Sequence, residues 1–153
     1  MAAWKNNRWK ILAGIFVLAV AGGLFVSFGP PQLLAKTETP LFCSSCHVMQ
    51  SQYEAWIHVG AHRTIKCVDC HLPHKNMGVY YVWKSIDGMK DMIVFYSGQA
   101  PEIIEISNRQ QRVVQSNCIR CHEARVEMID QERNCWECHR WLQHNLAGVR
   151  ITN

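Results

Sequence analysis

The clearest feature of the hydrophobic pattern is one unbroken apolar run near the N-terminus. Residues Ile11 to Phe28 carry no charged side chain, and an α-helix of about 18 residues rises about 27 Å, close to the thickness of a bilayer's hydrocarbon core. Pro30 and Pro31 follow, and proline is poorly tolerated in a helix interior. The pattern predicts a transmembrane helix over residues 11–29.

The charges beside this run predict its orientation. Lys5, Arg8 and Lys10 precede it, with no acidic residue among them. The positive-inside rule therefore places residues 1–10 in the cytoplasm and residues 30–153 on the periplasmic side of the inner membrane. A cleaved signal peptide is the alternative, but its apolar core is typically shorter, roughly 7 to 15 residues. Both interpretations export the rest of the chain.

Apolar positions also recur at close to the helical period between Val79 and Val94. We expect an amphipathic helix there, with Lys84, Asp87 and Asp91 on its more polar face. From the pattern alone, this is a solvated face with weak pairing between Lys84 and Asp87.

A second helix is predicted after Pro101. Glu102 and Glu105 would lie near its start and Arg109 and Arg112 near its end, an order that suits the helix dipole. Its expected role is scaffolding.

Composition restricts the class of protein. The chain has 153 residues, of which 48% are hydrophobic and 18% charged, and this favours a folded chain over a disordered one. The net charge of +4 comes without a run rich in Lys and Arg, so a nucleic-acid partner is not indicated.

The cysteines carry the strongest chemical signal. All eight fall into CxxCH motifs, in which two thiols bind the vinyl groups of one haem and the histidine reaches the iron. The spacings of 24, 51 and 17 residues between successive motifs indicate a haem pair, an insertion and a second haem pair. The motif residues are Cys43, Cys46 and His47; Cys67, Cys70 and His71; Cys118, Cys121 and His122; and Cys135, Cys138 and His139.

Zinc sites, disulfides and a thioredoxin-like redox pair are the alternatives. None of them explains a histidine directly after the second cysteine of every motif. Four haems would supply much of the apolar core, because a domain of about 120 residues is marginal by itself. We therefore expect a mainly α fold with much irregular structure. It would comprise one N-terminal transmembrane helix and a compact multihaem c-type cytochrome domain whose core is four haems.

The remaining iron ligands are less determined. Four histidines lie outside the motifs: His58, His62, His74 and His144. His62 and His144 are the candidate distal ligands, whereas His58 and His74 are expected at the surface or at a haem edge. Met49 follows the first motif closely enough to compete for its iron, although a lone methionine near a haem usually packs. Spacing alone leaves both roles open for Met49.

Several segments together resemble the NapC/NirT-type membrane tetrahaem quinol dehydrogenases, and among them the branch that serves cytochrome c nitrite reductases. They are an uncleaved N-terminal helix before CSSCHVM, the segment HRTIKCVDCHLPH, the segment KSIDGMKD with Lys84 and Asp91, and CWECHRWLQH near the end. Together they cover most of the exported part of the chain.

The resemblance implies roles that spacing does not. The methionine matching Met49 binds the first iron in place of the motif histidine, and that haem lies near the membrane beside the quinol pocket. Lys84 and Asp91 match residues of the quinol site. His62 and His144 match distal ligands of two other haems, and the remaining haem takes a ligand from the catalytic partner.

The function implied is that of a quinol dehydrogenase. Menaquinol would be the substrate, and electrons would pass through the haems to a catalytic cytochrome c nitrite reductase subunit in a hetero-oligomer. Asp91 is the candidate base, and Lys84 would hold a quinol oxygen. The alternatives are a donor to another periplasmic reductase, for nitrate or of general type, a signal-cleaved soluble electron carrier, and a haem enzyme that reduces nitrite alone.

Overall fold

The computed structural model describes residues 2–29, 32–58 and 60–144. The chain divides into two compact units, Met1–Thr39 and Pro40–Asn153. The described residues form helices and irregular segments without a β-strand. The predicted mainly α fold class is thereby confirmed.

The first unit is dominated by a long helix, α1, Ala2–Phe28. Within it, Asn7–Phe28 is long and apolar enough to cross a membrane, with a mean hydropathy of 2.5. The helical backbone begins well before the predicted start at Ile11, because the polar residues there include good helix formers such as Lys and Arg. A short helix, α2, covers Leu33–Lys36.

Gly29 follows the end of α1, where its backbone lies close to the backbone of Phe25. Its N–H donates to the carbonyl oxygen of Phe25 at 2.7 Å, and a Cβ at this position would stand 2.3 Å from the same oxygen. A larger residue therefore requires a shift of the backbone. The prolines expected to end the helix, Pro30 and Pro31, lie outside the described residues.

The second unit holds the helices that carry the haem motifs. Short 3₁₀ turns accompany them at His47–Met49, Gly60–Thr64 and Arg140–Gln143. The α-helices are α3 Pro40–Cys43, α4 Gln50–Ile57, α5 Cys67–His71, α6 Met77–Tyr96, α7 Asn108–Val126 and α8 Cys135–Cys138.

Helix α6 confirms the amphipathic helix predicted over Val79–Val94 and extends it at both ends. The side-chain oxygen of Asn76 accepts a hydrogen bond from the N–H of Val79 at 2.8 Å, which satisfies one of the free donors at the helix start. Beyond the other end, Gly98 has a φ of 68°, a conformation that glycine adopts without steric cost.

The second predicted helix begins later than expected. Glu102 and Glu105 lie in an irregular segment before α7, and Arg109 stands in its first turn rather than near its end. The reason is Ser107, whose hydroxyl accepts a hydrogen bond from the N–H of Gln110 at 3.3 Å and caps the helix there. The predicted order of acids at the start and bases at the end is therefore wrong.

Few described side chains of the second unit are buried. The least exposed are Ala55, Leu72, Tyr80, Asp87 and Asn117. Two of these five are polar, so the polypeptide supplies little of the hydrophobic core that a small domain needs. This agrees with the prediction that haem forms much of the core.

Candidate functional site

In three of the four CxxCH motifs both cysteines lie within one helix, where residues three apart share a face. In the first motif, Cys43 ends α3 and Cys46 has an extended backbone. The second motif forms α5, and the fourth begins α8. The third lies inside α7, where His122 departs from helical geometry with a φ of −112° and a ψ of 16°. The helix is therefore interrupted directly after the cysteines that would hold a haem.

Motifs that follow one another along the chain lie close together, and because α7 also contacts the second motif, the predicted division into two separate pairs is not seen. The thiols of Cys43 and Cys67 are hydrogen-bonded, which lowers the pKa of Cys43 to about 7. Burial, and then the neighbouring Cys135, raises the pKa of Cys118 to about 12. Thioether formation would remove these thiol protons, so the pKa shifts serve here only to show which motifs are close together. The first motif lies beside the second, and the third lies beside the fourth.

A buried asparagine fixes the second motif to α7. Nδ2 of Asn117, which is 4% exposed, donates to the carbonyl oxygens of Cys70 at 2.9 Å and Leu72 at 2.8 Å. Its Oδ1 accepts from Nε of Arg120 at 3.2 Å, and Arg120 also donates to the carbonyl oxygen of Asp69 at 3.2 Å. Sequence reasoning missed Asn117, because a single polar residue before a motif has no periodic signature.

A glutamine fixes the fourth motif to the same helix. Nε2 of Gln115 donates to the carbonyl oxygens of Gln131 at 3.1 Å and Arg133 at 3.0 Å, and its Oε1 accepts from the N–H of Cys135 at 3.0 Å. Helix α7 thus carries the third motif and binds the second and fourth. The scaffolding role expected of this helix is therefore performed by residues in its middle, Gln115 and Asn117.

Two pairs of imidazoles face each other. The ring centroids of His62 and His122 are 6.1 Å apart, and those of His71 and His144 are 6.0 Å apart. Two imidazoles on opposite sides of one iron have centroids about 6 Å apart, since each metal–nitrogen bond is about 2 Å and each ring centre lies about 1 Å farther. The residues present therefore fit haem irons with two histidine ligands.

Burial favours the neutral form of both imidazoles of the second pair, which is the form that binds metals. Burial, and then His144, lowers the pKa of His71 to about 4, and burial also lowers the pKa of His144. Nδ1 of His144 is buried without a hydrogen-bond partner among the described residues. In the first pair, the indole N–H of Trp56 donates to the carbonyl oxygen of His62 at 3.1 Å and so fixes the segment that presents this histidine.

The first and fourth motifs differ from the other two. Neither His47 nor His139 has a second imidazole at this spacing within the described residues. His47 is exposed and its ring packs against Phe95 at 5.4 Å, whereas Met49 is half-buried. His139 is exposed.

The two histidines expected to have no iron lie apart from these pairs. His58 is exposed at the end of α4. Nε2 of His74 lies 3.2 Å from the carbonyl oxygen of Val68, and the His74 ring packs against Tyr80 at 5.2 Å.

The candidate quinol residues lie two turns apart on one face of α6. Nζ of Lys84 stands 5.8 Å from the ring centroid of Tyr81. The Lys84 charge also reaches Cys43, where it contributes to the lowered pKa of the thiol. Lys84 is therefore close enough to the first motif for its charge to act on Cys43.

Asp91 is exposed and forms a 3.7 Å ion pair with Lys90. Partial desolvation on this face raises the pKa of the Asp91 carboxyl, the charge of Asp87 raises it further, and Lys90 opposes the shift. A raised pKa makes a carboxylate a better proton acceptor near neutral pH.

Asp87 does not lie on a solvated face, so this expectation is wrong. The residue is 8% exposed. Its carboxylate accepts hydrogen bonds from Arg109 at 2.5 and 2.8 Å and from Nε2 of Gln110 at 3.0 Å. The pattern missed this contact because Arg109 is 22 residues away along the chain, beyond the reach of a helical period.

Comparison with known proteins identifies the family. A model of the NapC/NirT cytochrome c family, N-terminal region, matches residues 5–149. The chain is 34% identical to cytochrome c-type protein NrfH of Wolinella succinogenes, over 92% of this chain and 89% of that one. It is 31% identical to cytochrome c nitrite reductase subunit NrfH of Nitratidesulfovibrio vulgaris, over 90% of this chain and 84% of that one.

A solved structure gives the same result. The chain is similar to a chain in the crystal structure of the cytochrome c nitrite reductase NrfHA complex bound to the HQNO inhibitor, with a TM-score of 0.67 and 31% identity over 88% of this chain and 90% of that chain. The family match spans nearly all of the sequence and includes the membrane-crossing helix. The chain therefore belongs to the NapC/NirT cytochrome c family and is a single-pass membrane protein with covalently bound haem.

Proposed function

We propose that this protein is a membrane-anchored tetrahaem cytochrome c that oxidises menaquinol and passes the electrons to a periplasmic catalytic subunit of cytochrome c nitrite reductase. The Lys84 charge acts on Cys43 of the first haem motif, and this supports the quinol part of the proposal. Similarity to two NrfH proteins and to the NrfHA complex supports the partner.

Four haems are proposed, one for each motif, and each would be held by two thioethers from the motif cysteines. His71, His122 and His139 would bind their irons from the motif side. The ring spacings of 6.0 and 6.1 Å support His144 opposite His71 and His62 opposite His122. A haem supplies one-electron redox chemistry, so the set would conduct electrons singly.

The first and fourth irons are proposed to have other ligands. Met49 is preferred over His47 for the first iron, because His47 is exposed against Phe95 while Met49 is half-buried. The fourth iron would take its second ligand from the partner subunit. The exposure of His139, which no second imidazole faces within the described residues, supports this.

The quinol chemistry would fall to two side chains of α6. Quinol oxidation releases two protons with its two electrons, so a base must accept protons at the site. Asp91 is proposed as this base, which its raised pKa supports. Lys84 would hold a quinol oxygen through a charge-assisted hydrogen bond and stabilise the negative charge that develops as the proton leaves.

The orientation proposed follows from the flanking charges. Lys5, Arg8 and Lys10 favour a cytoplasmic location for residues 1–10. The haem domain, residues 30–153, would then lie in the periplasm, after a transmembrane segment at residues 11–29. A periplasmic reductase could reach the haems only in this orientation.

One experiment tests the proposal directly. The protein is purified gently from membranes, the co-purifying proteins are identified, and a menaquinol analogue is added while haem reduction is followed by visible spectroscopy. We expect a catalytic nitrite reductase subunit to co-purify and the haems to be reduced. Co-purification of a nitrate reductase instead would support the alternative of a donor to another reductase, and no reduction by quinol would exclude quinol oxidation.

A matched pair of lysine variants adds specificity. Lys84→Gln should slow reduction by quinol by about tenfold or more, since a hydrogen bond from a charged donor contributes about 1.5–3 kcal/mol. Lys75→Gln removes an exposed lysine just before α6 and should leave the rate unchanged. Equal rates for the two variants would remove Lys84 from the quinol site.

A further inference from the structure

Asp87 is a buried acid with no direct role in the proposed quinol chemistry. It lies in the middle of α6, and its carboxylate accepts hydrogen bonds from Arg109 and Gln110, both in the first turn of α7. The guanidinium carbon of Arg109 is also 3.8 Å from the ring centroid of Trp83. Arg109 is thus held between a carboxylate and an aromatic face, both contributed by α6.

An ion pair of this kind is better suited to fixing geometry than to adding stability. Desolvation of the buried Asp87 carboxylate and the half-buried Arg109 guanidinium offsets much of their attraction. Three hydrogen bonds to one carboxylate, however, allow little rotation or sliding between the helices that provide them. Here these helices are α6, with the candidate quinol residues, and α7, which carries the third motif and binds the second and fourth.

Asp87 stands between the two quinol residues along α6. Lys84 lies one turn before it and Asp91 one turn after it. Farther along the same helix, Phe95 packs against His47 of the first motif at 5.4 Å. A rotation of α6 at Asp87 would therefore displace Lys84 and Asp91 relative to the first motif.

We propose that Asp87 and Arg109 are a positioning pair for the quinol site. They hold α6 against α7 so that Lys84 and Asp91 keep a fixed position beside the first haem. This inference rests on the proposed quinol oxidation. The pair acts on the position of α6 and not on a haem motif, so its loss should weaken quinol binding and leave electron transfer among the haems intact.

The test uses the full-length haem protein together with its co-purified reductase. Two reactions are measured: electron transfer to nitrite from a menaquinol analogue, and from a reduced viologen, which needs no quinol site. The variants are Asp87→Asn, Arg109→Gln, the double variant with both changes, and Arg109→Lys. Arg112→Gln, at an exposed arginine in the next turn of α7, is the matched control.

We expect the KM for the quinol analogue to rise about tenfold in the two single variants and in the double variant, while viologen-driven rates stay within about twofold. Arg109→Lys should recover part of the affinity, because lysine keeps the charge but lacks the planar fork. The control should behave as the wild type. The double variant leaves no buried charge unpaired, so its KM for the quinol analogue tests the proposal even if a single variant fails to assemble.

The outcomes separate this inference from the proposed function. No quinol oxidation by the wild-type complex would exclude the function itself. A wild-type complex that oxidises quinol, with a double variant of unchanged KM, would exclude the positioning role. Equal losses in the quinol and viologen reactions, or loss of haem from the double variant, would indicate a general structural role and also overturn the inference.

Discussion

At the scale of single residues, the chemistry depends on side chains whose partners are far along the chain. His62 faces His122, and His144 faces His71. The motif identifies one proposed ligand of each pair, since its spacing is a requirement of haem attachment. The proposed opposite ligand has no such local requirement, and its pairing emerges only when the chain is folded.

The first prediction concerns these opposite ligands. His62→Ala should convert the haem of the third motif from low spin to high spin while the haem stays covalently bound, because the cysteines are untouched. His144→Ala should do the same for the haem of the second motif. Electron paramagnetic resonance and visible spectra of the purified variants would measure the change. His58→Ala, at an exposed position, serves as control, and an unchanged low-spin signal in both test variants would contradict the assignment.

The second prediction concerns the pH dependence of quinol oxidation. Asp91 accepts a proton only when ionised, so the rate should fall as the pH drops through its pKa. Desolvation raises that pKa, which places the decline at a higher pH than for an ordinary aspartate. Asp91→Asn should lower the rate by about 10²-fold or more and abolish this limb of the profile, with all haems retained.

A matched carboxyl variant controls for the loss of a negative charge. Glu123→Gln, at an exposed position of α7, should keep the rate and the acidic limb. The base assignment fails if Asp91→Asn retains both.

At the scale of elements, α7 organises the haem unit. It carries the third motif, binds the second through Asn117 and the fourth through Gln115, and meets α6 through Arg109. The helix start itself was mispredicted, because the cap at Ser107 competes with the charge pattern. Capping fixes where a helix begins more strongly than the dipole preference of acids that lie outside it.

The third prediction tests the contact between α5 and α7. Asn117→Ala removes both hydrogen bonds to the carbonyl oxygens of Cys70 and Leu72 and should lower the free energy of unfolding by about 1–3 kcal/mol, because these acceptors lose their buried donor. Thermal and denaturant unfolding would measure this. Ser116→Ala is the control, since its hydroxyl is exposed and donates to the carbonyl oxygen of Val113 within its own helix. Equal stabilities of the two variants would show that the contact has no energetic importance.

At the scale of the whole molecule, a long apolar helix precedes a unit with few buried apolar side chains. The first feature implies a membrane and the second a large apolar cofactor, and family membership agrees with both. In most proteins of this size, leucine, valine and phenylalanine form the hydrophobic core, and here covalent haem takes over much of that role.

The fourth prediction is an intact mass. The purified protein should have the mass of the 17.6 kDa polypeptide plus four haems, with the N-terminal helix retained. Mass spectrometry of the detergent-solubilised protein would test both points in one measurement. A mass lacking the first helix would indicate cleavage and a soluble carrier, and a smaller haem number would exclude attachment at every motif.

The sequence by itself determined most of what depends on neighbours along the chain, although the start of α7 was misplaced. An uncharged run predicted the membrane helix, a periodic pattern predicted α6, and the CxxCH spacing predicted haem attachment. Each of these features depends only on residues that are close together along the chain. The family resemblance rested on such local segments and is confirmed.

Only the tertiary structure decided which distant residues meet. It brought His62 to His122 and Asp87 to Arg109, and it buried an aspartate that the pattern had placed in water. A helical period records which face of a helix a residue occupies but not what another helix brings against that face. Contacts between elements depend on how the whole chain folds around its haems, and no spacing within one segment encodes them.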